Sequence, residues 1–215
     1  MQRTNFSYLL AALLIFLVFV PLADDFVVGS PPAIRALLFS TVLVIGVWSL
    51  RGSGRLFSIG MLFVVAGVVF SMVSARSTIL AFHYLSLVAL IGFLFIAIAH
   101  TLKQVAFGTD LSFNRVVGAI CVYLLLGVIW ALSYSVLELA VPGSFAGFEA
   151  HVGRGWDSEW LYFSFVTMTT LGYGDLLPIS ATARAMAYMQ AVFGQFYIAI
   201  LVAGLVGAYI ARKTE

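Results

Sequence analysis

Six long apolar stretches and one short one succeed each other along the chain, separated by turn and charge signals. A run of about 20 apolar residues crosses the hydrocarbon core of a bilayer as a helix, so the pattern predicts six spanning helices. The first covers about residues 5–22 and ends at Asp24-Asp25. The second opens at Ser30-Pro31-Pro32, a capping serine with proline in the first turn, and ends near Leu50. A basic, glycine-rich turn, Arg51-Gly52-Ser53-Gly54-Arg55, leads into the third, about 56–74. Arg76-Ser77-Thr78 leads into the fourth, about 79–102. A polar linker, 103–114, precedes the fifth, about 115–139, which stops at Val141-Pro142-Gly143-Ser144. The sixth covers about 182–211.

The short stretch, Trp160 to Thr170, is too short to span and reads as a re-entrant segment. Non-helical backbone at membrane depth is tolerated only where protein buries it or where it lines a water-filled cavity. The residues beyond Thr170 are therefore expected inside a protein assembly.

Composition fits this pattern. Of 215 residues, 63% are hydrophobic and 9% charged, against roughly 25% charged in a soluble domain. The excess apolar surface has lipid as its natural partner. A net charge of +2 and the lack of a basic stripe with interleaved aromatics exclude nucleic acid as an expected partner. Cys121 is the single cysteine, which excludes a disulfide within the chain and reads as a small buried hydrophobe. Arg3 followed by the run Tyr8 to Val20 imitates a secretory signal, but Pro21-Leu22-Ala23-Asp24 is a poor cleavage site, and the run reads as a retained helix. With a cytoplasmic amino terminus, Arg3, Arg51, Arg55, Lys103, Arg115, Arg212 and Lys213 lie inside. Arg35, Arg76, Arg154 and Arg184 then lie outside, seven against four, in the sense of the positive-inside rule. Most acidic residues fall outside, and the re-entrant segment opens to the exterior with both termini cytoplasmic.

Thr167-Met168-Thr169-Thr170-Leu171-Gly172-Tyr173-Gly174-Asp175 resembles the signature of the potassium channel superfamily, whose selectivity loop Thr-Val-Gly-Tyr-Gly replaces the ion's hydration shell with backbone carbonyls. The resemblance implies an all-α membrane fold with six transmembrane helices, a re-entrant pore helix and a selectivity filter, closed as a four-fold pore. It implies K+ binding by the carbonyls of Thr170, Leu171, Gly172 and Tyr173, with the filter ending at Gly174. Leu171 stands where valine is commonest. Aligning successive carbonyls needs alternating right- and left-handed backbone, and Gly172 and Gly174 take the left-handed conformation without steric cost. Thr169 and Asp175 flank the filter. By the same resemblance Tyr162 and Phe163 pack behind it, with Tyr162 in reach of Asp175. Val166 occupies a position where some members carry glutamate, so a carboxylate pair with Asp175 is not available. Asp157 or Ser158 can cap the pore helix, and Glu159 in its first turn suits the helix dipole.

The chain holds one filter segment and a pore needs four, so a homotetramer in membrane lipid is expected, and a four-repeat transporter is not. Residues 115–215 form the expected pore domain, 103–114 a cytoplasmic linker, and 1–102 a module that resembles a voltage sensor in layout only. One charge crossing 100 mV contributes about 2.3 kcal/mol, so steep sensing needs several arginines. Residues 79–102 contain no Arg or Lys, only His83 and His100. His83 reads as structural rather than as a pH sensor. Aligned on Asp175 and Pro178, Gly194 falls at the family's inner-helix hinge, with Gly204 and Gly207 where inner helices converge and pack. No ligand-binding tail is expected after Glu215. The function expected is passive, potassium-selective conduction in a cell membrane, without catalysis and without a cofactor beyond the permeating ion. A non-conducting partner subunit and a weakly selective cation channel are the competing readings; a changed filter would favour either.

Overall fold

The computed structural model describes residues 6–26, 54–74, 79–107, 112–148 and 158–213. The second expected helix, at 30–50, lies outside the described residues, as do Asp157 and the linker centre at Gly108-Thr109-Asp110.

The architecture is helical: α1 (Phe6–Phe26), α2 (Gly54–Ser74), α3 (Leu80–Phe107), α4 (Phe113–Ala140), the short α5 (Ser158–Met168), α6 (Ala181–Phe196) and α7 (Ala203–Lys213). A π-helical segment, Tyr197–Val202, joins α6 to α7 without a break. The described residues contain four helices long and apolar enough to cross a membrane: Leu56–Ser74, Leu80–Ala106, Phe113–Ala140 and the composite Ala181–Ala211. Phe6–Leu22 is a shorter apolar helix. This is a membrane protein.

α1 is apolar nearly all round yet buries one stripe. In α1, Phe6, Leu9, Leu13, Phe16 and Val20 recur at three- and four-residue steps and join the core, while Leu14, Ile15, Val18, Phe19 and Leu22 are exposed. Helices that are apolar all round suit a lipid exterior. Polar side chains then fix the pairings. Ser86 donates to the Gly67 carbonyl (3.2 Å), and Ser74 pairs with His83, holding α2 to α3. The Phe6 amide donates to Asn114 Oδ1 (2.9 Å), holding the start of α1 to the start of α4.

Around the expected linker, α3 continues helically to Phe107 and α4 starts after an N-cap at Ser112. Lys103 and Gln104 are good helix formers, and they extend the helix rather than break it. Arg115 Nε donates to the Val105 carbonyl (3.0 Å) and its terminal nitrogen to Val105 and Ala106 (2.5 and 3.4 Å). The end of α3 leaves carbonyls without helical partners, and a guanidinium from α4 satisfies them. The amino-terminal helices are thereby joined firmly to α4.

Candidate ion pathway

The site is built on α5. Eleven residues at 1.5 Å per residue make it about 16 Å long, roughly half a hydrocarbon core. It starts at Ser158 with Glu159 in its first turn. Trp160, Phe163, Tyr134, Phe145 and Phe148 form an aromatic cluster at its amino-terminal half, with Phe148 stacked on Trp160 at 4.1 Å and Tyr134 edge-on to Phe163 at 5.0 Å.

After Met168 the chain turns. Thr169 folds back on α5, its amide and hydroxyl both donating to the Phe165 carbonyl (2.9 and 2.7 Å). The Leu171 and Gly172 amides both reach the Val166 carbonyl (2.9 and 3.4 Å). From here the backbone alternates: Thr170 (φ 59°), Gly172 (φ 59°) and Gly174 (φ 83°) are left-handed, while Leu171 and Tyr173 are not. Gly172 and Gly174 accept this without steric cost. Thr170 does not, and a non-glycine residue held left-handed marks a backbone over-determined by its surroundings. Glycine placement signals two of these three positions; no sequence signal marks the third.

The segment Thr169–Asp175 is exposed in the single chain, with Leu171 at 55% and Tyr173 at 68%. Its carboxyl-terminal end is tied down. Tyr162 donates to Asp175 Oδ2 (2.5 Å), and the Tyr162 and Tyr173 rings lie nearly parallel, 6.5 Å apart. The hydrogen bond holds the Asp175 carboxyl below the usual carboxylate range and pushes the Tyr162 phenol up to about 12. Asp175 also receives the Leu176 amide on Oδ1 (3.0 Å). Behind the segment is a cavity of about 190 Å³ lined by Tyr162, Phe163, Val166, Asp175 and others.

The chain leaves through β2 (Leu177–Pro178), antiparallel to β1 (Phe145–Ala146). Next to β1, Gly147 (φ 92°) sits so close to the Asp175 carbonyl that a Cβ would collide with it. Gly147 carries no signal in the sequence, because its requirement comes from a neighbour 28 positions away. Ser180 then caps α6, accepting the Ala183 amide (3.1 Å).

Gly194 lies buried on α6 against the end of α5: a Cβ there would meet the Met168 side chain and carbonyl oxygen, each at 2.7 Å. Gly204 and Gly207 lie on α7, away from the filter segment, and nothing among the described residues is within 4 Å of where their Cβ atoms would be. The expected filter, its flanks and its aromatic supports are thus brought together around α5. Gly194 meets the carboxyl end of α5 at Met168, and Gly204 and Gly207 do not.

Residues 118–211 match the ion channel protein family. The match covers less than half of the chain. Over 96 residues, 43% of the chain, it is 33% identical to the inward rectifier potassium channel Kirbac3.1 of Paramagnetospirillum magnetotacticum. Over 104 residues, 48% of the chain, it is 35% identical to two pore potassium channel a of Oryza sativa subsp. japonica. The matched regions span 28% and 26% of those relatives' own lengths. The matched residues contain α5, the segment that follows it and nearly all of α4 and of the α6–α7 helix.

Proposed function

We propose that the chain is one subunit of a homotetrameric potassium channel in a cell membrane, with Thr170, Leu171, Gly172, Tyr173 and Gly174 as its selectivity filter. The alternating backbone at Thr170, Gly172 and Gly174 carries the reading, because that alternation lets successive carbonyls face one ion path. Exposure of the same segment in a single chain supports assembly. Irregular backbone cannot face lipid, and other copies of the chain around a water-filled path would cover it. The exposed apolar side chains of the inner helix, Tyr188, Val192, Phe193, Phe196 and Ile200 among them, supply surface for lipid and for those copies. The relatives named as potassium channels support the choice of ion.

In this reading the filter opens to the exterior, both termini are cytoplasmic, and residues 1–102 form a helical module beside the pore. The absence of Arg and Lys from 79–102 argues for conduction without steep voltage dependence. Purified protein in liposomes tests the proposal. Potassium efflux down a potassium gradient, with little sodium efflux down the equivalent sodium gradient, is the expected result. Equal fluxes would overturn selectivity, and silence from intact tetramers would favour a non-conducting partner subunit.

A further inference from the structure

The contact between the α6–α7 helix and α5 holds a fully buried cluster of polar side chains. Gln190 is fully buried (0% exposed), as are Ser164 and Tyr134. The Gln190 amide nitrogen donates both to the Ser164 carbonyl (3.0 Å) and to the Ser164 hydroxyl (2.7 Å). The Ser164 hydroxyl donates to the Gly127 carbonyl of α4 (2.7 Å), and Tyr134 of α4 donates to Gln190 Oε1 (2.5 Å). Four hydrogen bonds thus join three helices, three of them made by the Gln190 amide. One turn further along the same faces, Gly194 lies against Met168. The pairs 164/168 and 190/194 are each four apart, so they form one continuous seam.

Apolar contacts permit a helix to slide or rotate; a bonded amide permits far less, because leaving its partners exposes polar atoms to a medium that cannot bond them. The Val166 carbonyl, two residues beyond Ser164, receives the Leu171 and Gly172 amides. Rotating α5 therefore moves the anchor of the filter. We infer that Gln190 is a filter-positioning residue: through Ser164 it fixes the rotation of the pore helix, and hence the filter backbone at Leu171 and Gly172, relative to the inner helix. The inference rests on the potassium-channel reading and deepens it.

The test is the potassium-to-sodium permeability ratio of reconstituted tetramers, measured alongside their thermal stability. Gln190→Met keeps volume and removes both bonds to Ser164; the ratio is expected to fall about tenfold, as the loss of a buried hydrogen-bonded pair warrants. Tyr134→Phe leaves both of those bonds in place and is expected to lower stability while keeping the ratio. A ratio within twofold of wild type in Gln190→Met, or an equal fall in both variants, overturns the inference in favour of a purely structural amide. If Gln190→Met does not assemble, Ser164→Ala decides by the same criterion. A wild-type protein without selectivity would overturn the channel reading and this inference together; a selective wild type with selective variants overturns only the inference.

Discussion

Single residues decide the backbone shape of the proposed filter, Thr170 to Gly174. Gly172, at φ 59°, is left-handed, and an alanine there would carry a penalty of roughly 1–2 kcal/mol. In a segment repeated around a ring the penalty recurs in each copy. Gly172→Ala is expected to abolish ion selectivity while tetramers persist on native gels; retained selectivity would place the filter elsewhere. Gly147→Ala acts on the same backbone from outside, pressing on the Asp175 carbonyl, and is expected to reduce potassium efflux strongly, measured in the same liposomes. The Tyr162–Asp175 bond sets a pH dependence. The depressed carboxyl stays ionised above its ordinary value of 3.8, and Tyr162 stays protonated to about 12. The stabilisation is present above that carboxylate value and is lost as pH falls through the lower, folded-state one. Efflux should be flat across neutral pH and decline only below 3.8; a titration near neutrality would show that another group controls it. These residues differ in how visible they are in a sequence. Gly172 and Gly174 carry their conformation in their identity. Gly147 takes its conformation from a tertiary neighbour, the Asp175 carbonyl, which no local pattern encodes.

At the scale of elements, length and hydropathy make most helices legible, because a spanning segment must be long and apolar wherever it packs. The ends are less so. α3 runs to Phe107 because Lys103 and Gln104 favour helix and Arg115 satisfies its last carbonyls, a tertiary contact that polarity alone reads as a linker. The π-helical turn at Tyr197–Val202 has no sequence signal either. It bears on bending. Glycine at 194 suggests a hinge, but that residue is wedged against Met168, whereas the π segment begins three residues later and π turns are common sites of helix irregularity. Tyr197, its first residue, donates to the Ala119 carbonyl of α4 (2.8 Å). Tyr197→Phe is expected to change single-channel open probability and leave the permeability ratio intact. Gly194→Ala, by forcing a methyl against Met168, is expected to alter the ratio. The reverse pattern would return the hinge to Gly194.

For the whole molecule, the apolar pattern implies a membrane protein and the filter motif implies an assembly, since one chain carries one filter segment. The packing of the first three described helices on the pore is not legible, because it depends on Phe6 meeting Asn114 and Arg115 meeting Val105 from separate helices. With no Arg or Lys in 79–102, the proposed channel should show conductance that varies little with voltage in planar bilayers; a steep conductance–voltage curve would contradict it. The most direct measurement of all is the reversal potential of the reconstituted channel with potassium on one side of a bilayer and sodium on the other. A potassium-selective tetrameric pore predicts a reversal far from zero, on the side set by potassium. A reversal at zero, with current flowing, would contradict it.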